Sequence, residues 1–169
     1  MTDIYQFLDQ RKIIYQKFDH PAVFTCEEAE RLCPDMPGVS LKNLFLRDGA
    51  GKRHFLVIVG YDKKVDLKGL KEVIGLSKIG FASPERLKQY LGLEPGSVSL
   101  LGLINDLEHR VEVFIDEKLW KQDFQCHPLV NTATLVIPHG GIKSFFGVTG
   151  HKYKVIVVPG VSEFIMKKQ

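Results

Sequence analysis

Three short stretches of this chain hold residue types that can do chemistry. The first is SLKNLFLRD (40–48). Side chains alternate along a strand, so Lys42 shares a face with Leu44 and Leu46. An ammonium on a face bound for the core has two readings. Its stem can lie on apolar neighbours while the charge reaches water. Alternatively, it stands at the mouth of a cleft and holds an anion, a task that suits the compact charge of lysine. The second stretch is QCHPLVNTATLVI (125–137). Read as a strand, it puts His127, Leu129, Asn131, Ala133 and Leu135 on one face, apolar at one end and polar at the other. The imidazole and the amide are then either satisfied structural groups or a polar cluster at the mouth of a barrel. The third is EPGSVSLLG (94–102). Gly96 followed by Ser97, Val98 and Ser99 can present backbone N–H groups to a carbonyl or an anion, or simply turn the chain.

Other chemistries are disfavoured. Cys126 and His127 are sequence neighbours and face opposite ways in a strand, a poor nucleophile–base arrangement. There is no CxxC and no HExxH, and Cys126, His127, His139 and His151 lack a zinc-site spacing. The chain has no P-loop, no GxSxG elbow and no GxGxxG, which argues against nucleotide hydrolysis, serine esterase chemistry and a Rossmann cofactor site. Neither a metal nor a cofactor is expected.

The formal charge of +3 and pI of about 8.7 are a mild basic bias. Tracking a long nucleic-acid backbone needs many Lys and Arg contacts, whereas meeting one or two phosphates needs only one or two. DNA is therefore not an expected partner. Lys63, Lys64, Lys68 and Lys71 cluster in DKKVDLKGLKEV (62–73) and read as a solvated helix face. Cys26, Cys33 and Cys126 have no framework spacing and fit reduced thiols. The N-terminus lacks an apolar signal core, and no apolar run is long enough to cross a bilayer. A cytoplasmic protein with no membrane partner is expected.

The elements that must position these groups follow from capping and periodicity. The 169 residues, 44% hydrophobic and 25% charged, suit one domain spanning 1–169 with a real core. Thr2 can cap a first helix, and residues 13–20 read as a short strand. Thr25 opens a capping box and a second helix through about Leu32. Residues 37–60 form a β-hairpin turning at Asp48–Gly51. Asp66 caps a helix over 67–76, and Ser83-Pro84 starts another that stops at Gly92. Residues 109–119 hold a strand and a helical turn, 127–138 a strand, 140–148 a short helix, and 151–159 a last strand. Interspersed strands and helices predict an α/β (α+β) fold: a mixed, distorted barrel-like sheet with helices outside.

SLKNLFLRD, PGSVSLLGLIND and CHPLVNTATLVI, in this order and spacing, resemble the YbaK/prolyl-tRNA synthetase-associated domain family. Within it the chain is most similar to the free-standing PrdX or ProXp-ala branch, the alanyl-tRNA(Pro) deacylases. The likeness runs from the first helix to the last strand. It implies hydrolysis, in trans, of the ester on mischarged tRNA(Pro), with the tRNA acceptor end as partner and prolyl-tRNA synthetase or an elongation factor as further partners. The family lysine falls on Lys42, which is implied to hold the end of the acceptor strand, with Asn43 beside it. The GxxxP loop falls on Gly96, Ser97, Val98, Ser99 and Leu100, with leucine where the family has proline. That proline would fix φ and stiffen the loop. The family histidine falls on His127, with Asn131 and Thr132 behind it. The pocket-lining segment falls on residues 19–25, with His20 and Ala22 toward the substrate and Ala22, Val23 and Phe24 as candidate walls. Lys42, His127 and Gly96 are thus the expected catalytic groups, and the others bind substrate. Two further readings remain: a non-catalytic module that binds aminoacyl-tRNA or an RNA 3′ end, and a deacylase for Cys-tRNA(Pro) or another mischarged tRNA.

Overall fold

Hydrophobic runs with and without alternation decide which strands are central. The computed structural model describes residues 3–161. The run HFLVIVG forms β3 (His54–Gly60), and Phe55 through Val59 are fully buried. A strand apolar on both faces must be covered on both. Leu56 and Ile58 join a core with Leu8 of α1 (Ile4–Gln10), Leu87 and Leu91 of α4 (Pro84–Leu91), and Phe145 and Phe146 of α5 (His139–Thr149). Phe55, Val57 and Val59 join a second core under Leu70 of α3 (Leu67–Ile74).

β2 (Val39–Asp48) pairs antiparallel with β3, from Leu41 opposite Gly60 to Arg47 opposite His54. The turn is closed by the Asp48 carboxylate, which accepts the Lys52 and Arg53 N–H groups at 2.9 and 3.1 Å. Eight strands form a mixed sheet in the order β1-β7-β6-β2-β3-β5-β8, with β4 on β2. β1 is Gln16–Asp19, β4 Ile79–Phe81, β5 Val111–Asp116, β6 Phe124–Cys126, β7 Ala133–Ile137 and β8 Tyr153–Ile156.

The position of the site follows from the second edge of β2. There β6 pairs only with Val39 and Ser40, and β4 only with Leu46, Arg47 and Asp48. Between them, Leu41–Phe45 has no strand neighbour on that edge. This gap in the sheet lies at the Lys42–Asn43 pair.

The expected helices are present over α2 (Cys26–Leu32), α3, α4 and α5. Thr25, Asp66 and Ser83 cap as read, each side-chain oxygen accepting a backbone N–H within the first turn. Thr2 lies outside the described residues. Asp3 caps α1, accepting from Tyr5 and Gln6. Several elements differ from expectation, the last strand among them, which is confined to Tyr153–Ile156. The first strand shrinks to Gln16–Asp19. The short strands β4 and β6 were not anticipated. Residues 100–105 form a 3₁₀ segment rather than continuing the loop. Finally, only Ala133–Ile137 of 127–138 is strand. Pro128 has no N–H for a ladder, and Leu129 takes a left-handed φ of 69°. His127, Leu129 and Asn131 therefore do not share a strand face.

Candidate functional site

A cleft of about 560 Å³ opens at the gap in β2. That is within the usual range for a small-molecule or nucleotide-sized site. Lys42 and Asn43 of β2, Gly96 and Val98 of the 94–99 loop, His127 after β6 and Thr134 of β7 all line it. The three stretches that the sequence singles out thus meet in one place.

Lys42 stands opposite Val59, on the face whose Leu46 enters the second core. Its ammonium is half-buried and donates to the Lys63 carbonyl. An ammonium has three protons, so two remain for the cleft. On the neighbouring residue, Asn43 Oδ1 is buried with no hydrogen-bond partner among the described residues. A buried polar atom without a partner is unusual in a native fold. Asn43 lines both the cleft and a smaller apolar crevice of about 270 Å³ that shares Gly96 and Val98 with it.

The histidine geometry defines a tautomer. His127 Nδ1 lies 3.2 Å from the Ala133 carbonyl. A carbonyl only accepts, so Nδ1 carries the proton, and in the neutral ring Nε2 has a lone pair. Burial holds the His127 imidazole below its ordinary value. The nearby His20 adds to this, and the Ala133 carbonyl opposes it. The ring is therefore neutral near pH 7, with Nε2 available to accept a proton. His20 is 8% exposed and has no nitrogen to spare. Its Nδ1 donates to the Pro21 carbonyl at 2.9 Å, and its Nε2 accepts from the Thr134 hydroxyl at 2.8 Å. Its ring centre is 6.4 Å from that of His127. His20 braces the wall of the cleft and orients Thr134.

The 94–99 loop is built around Gly96, whose φ of 88° is a conformation that costs a side chain about 1–2 kcal/mol. A Cβ there would lie 2.8 Å from Phe24 Cδ1, so the Phe24 ring rests directly on this glycine. The Ser97 N–H is used by the Glu94 carbonyl at 3.1 Å. The Gly96 and Val98 N–H groups have no partner among the described residues. Ser99 is 1% exposed, and its hydroxyl caps the 3₁₀ segment by accepting the Leu101 N–H at 3.2 Å. Leu100, in the place of the family proline, is fully buried as the first residue of that segment. The loop is thus anchored by burial rather than by a fixed φ.

The remaining expected residues stand behind the cleft or outside it. Asn131 Nδ2 donates to the Val23 carbonyl at 3.0 Å, and the Thr132 carbonyl accepts the His20 N–H at 3.0 Å. Both hold the 20–23 segment in place. Thr132 and Ala22 are exposed, and the wall is made by Val23 and Phe24. Ser97 turns the loop. Cys126 is 2% exposed, and burial pushes its thiol far up, which removes it as a nucleophile. Cys33 lines the cleft with its thiol also raised by burial. Thr134 and Tyr61 line the cleft without having been foreseen. Thr134 is the one polar residue in the buried run ATLVI, a signal that was legible. Tyr61 follows the hairpin and carries no such mark.

A model of the aminoacyl-tRNA editing domain matches residues 20–145, which contain every residue of this cleft named above. The prolyl-tRNA editing protein ProX of Acetoanaerobium sticklandii is 39% identical over 150 residues, covering 88% of this chain and 92% of that protein. Prolyl-tRNA synthetase associated domain-containing protein 1 of Danio rerio is 32% identical over 152 residues, covering 88% of this chain and 82% of that protein. The crystal structure of a candidate trans-editing enzyme for prolyl tRNA synthetase has a similar fold. Its TM-score is 0.64 at 16% identity, over 94% of this chain and 99% of that one. The chain belongs to the aminoacyl-tRNA editing domain family.

Proposed function

We propose that this protein is a trans-editing deacylase that hydrolyses the ester of mischarged tRNA(Pro), with Ala-tRNA(Pro) as its substrate. The observation that carries this reading is the convergence of three unlike groups in one cleft. They are an ammonium with protons to spare, a glycine loop with open N–H groups, and a neutral histidine with a bare Nε2. The relative named for prolyl-tRNA editing supports the substrate class.

An aminoacyl ester is already activated, so positioned water and a polarised carbonyl suffice. Lys42 holds a phosphate at the 3′ end of the acceptor strand. The Gly96 and Val98 N–H groups meet the carbonyl oxygen, where negative charge develops as water adds. His127 Nε2 accepts a hydrogen bond from that water or from the neighbouring ribose hydroxyl. The C–O ester bond then breaks, leaving the free amino acid and the tRNA with its terminal hydroxyl restored. The Phe24 and Val23 wall limits the size of the side chain. A synthetic site built for proline cannot strongly exclude the smaller alanine, because each methylene is worth only about 1–3 kcal/mol. A second, tighter site supplies the missing selectivity. The tRNA acceptor end is the partner that matters for the chemistry. Prolyl-tRNA synthetase or an elongation factor, which handle the same tRNA, are the proposed protein partners, and the cytoplasm the place of action. Among the described residues no helix is long and apolar enough to cross a membrane.

The test is direct. The purified protein is incubated with Ala-, Cys-, Ser- and Pro-tRNA(Pro), and ester loss is followed against buffer. Selective loss of the alanyl ester is expected. Loss of another ester keeps the enzyme and changes its substrate. Binding without loss of any ester makes the protein a binding module. Lys42→Ala at the full wild-type rate would remove the central role assigned to that residue.

A further inference from the structure

The Lys42 ammonium is not aimed by its own strand alone. Its carbonyl partner belongs to Lys63, and the Lys63 side chain turns inward from there. Lys63 Nζ meets Oδ2 of Asp116 at 2.6 Å, with side-chain exposures of 15% and 2%. Asp116 is the last residue of β5. Its other oxygen faces the Val158 and Lys118 N–H groups at 3.5 Å each. The Lys63 stem passes close over Gly160, where a Cβ would sit 3.2 Å from Lys63 Cε. The turn is also tied on either side of Lys63. Lys63 N–H donates to the Gly60 carbonyl at 3.0 Å, and Val161 N–H to the Lys64 carbonyl at 2.8 Å.

A lysine that merely solvates a helix face has no need of this burial. Taking two charges out of water is costly, and apolar residues of similar volume often stabilise a fold as well as a buried ion pair does. The pair does, however, impose a geometry. The side chain drawn onto Asp116 anchors the turn at Lys63, and the carbonyl of that same residue accepts from the Lys42 ammonium at the cleft. Arg53–Glu112, an exposed ion pair with side chains 46% and 42% accessible, contacts nothing in the cleft and is the natural control.

We propose that Lys63 and Asp116 are a positioning pair for Lys42, acting through the Lys63 carbonyl to hold the ammonium toward the bound phosphate. This rests on Lys42 being the group that grips the substrate. The experiment is a double-mutant cycle. Asp116→Asn and Lys63→Met are made alone and each together with Lys42→Ala, and single-turnover hydrolysis of Ala-tRNA(Pro) is measured. Small misplacements of a positioning group can be costly, and each single variant is expected to lose roughly 10-fold in kcat/KM. In the Lys42→Ala background neither should cause a further loss, because the effect passes through that ammonium. Losses that multiply with Lys42→Ala, or a full rate in Asp116→Asn, overturn the proposal. A second readout needs no turnover. Competitive acetylation by acetic anhydride, read by mass spectrometry, compares Lys42 with the exposed Lys152. Lys42 labelling should rise several-fold in Asp116→Asn and stay unchanged in Glu112→Gln. Equal Lys42 labelling in wild type and Asp116→Asn overturns the pair as a positioning device. If wild type hydrolyses none of the esters, the deacylase reading fails, and the labelling still decides the inference.

Discussion

His127 and His151 are both held by neighbouring oxygen atoms, yet their surroundings differ. His151 is 5% exposed. Its Nε2 is 2.9 Å from Asp106 Oδ2, and its Nδ1 is 3.0 Å from the Thr149 hydroxyl. Threonine, histidine and aspartate in line have the outline of a catalytic triad, but none of them lines the cleft. The Asp106 carboxylate also accepts the Arg110 and Val111 N–H groups at 2.9 Å each, which ties the start of β5 to the end of α5. Both His151 nitrogens and both Asp106 oxygens are thus engaged. His127 spends one nitrogen on a backbone carbonyl and keeps the other for the cleft. An unfilled hydrogen-bonding position beside a cavity, rather than the identity of the residues, separates the two histidines.

The largest effect is expected at the structural histidine. Asp106→Ala leaves His151 and two backbone N–H groups without their acceptor, and it should cost about 3–5 kcal/mol in urea unfolding. The rate per folded molecule should not change. A rate that falls along with stability would join the two regions functionally. From the other side, His127→Ala should lower the single-turnover rate by about 10²-fold or more with little change in Tm. His151→Ala should do the reverse. Gly96→Ala is a smaller perturbation. It adds strain of about 1–2 kcal/mol at a left-handed φ and displaces Phe24, so a loss of roughly 10-fold in rate is expected, larger for kcat than for KM.

The pH dependences sharpen the contrast. Burial alone would push the Asp106 carboxyl up, but His151 and the two N–H donors outweigh it and hold the group below 3.8. Its stabilisation is complete above that ordinary value and is lost as pH falls through the lowered one. The His127 shift acts in a higher window. A neutral ring held below 6.5 takes up its proton only after the unfolded chain has done so, so its contribution to stability declines as pH falls from 6.5 toward the lowered value. Hydrolysis should therefore be flat across neutral pH and decline only below 6.5. A rate that falls already on passing from about pH 8 to pH 7 would contradict the neutral, accepting imidazole. Glu112→Gln at the exposed pair is the smallest perturbation. It should change stability by about 0–1 kcal/mol and the rate not at all.

Much of the fold was legible because its signals are local. The caps at Thr25, Asp66 and Ser83, the glycine stops and the hairpin at Asp48 each depend on a few adjacent residues. The misreadings lie where distant segments compete for the backbone. Residues 127–132 alternate well enough for a strand, but Pro128 breaks the ladder and the His20–Val23 segment takes the Asn131 and Thr132 carbonyls. β4 and β6 are three residues each, too short to show a period; β4 exists because β2 offers it an edge, and β6 because it is held between β7 and β2. The site was legible as three stretches and their residue types. The roles within it were less so: Ser99 caps a turn, Asn131 braces a wall, and Thr134 entered the cleft unforeseen.

By itself, the sequence determined the elements, the central hydrophobic strands and the groups available for chemistry, because propensity, capping and side-chain type are properties of short stretches. Only the tertiary structure decided which of those groups share a cleft, which nitrogen of His127 stays open, and that Lys63 turns inward to Asp116 while its carbonyl holds Lys42. Those outcomes depend on the gap left in β2 between β6 and β4, and on the balance of burial against pairing. Both are set only when residues far apart in the chain compete for the same space and the same hydrogen bonds.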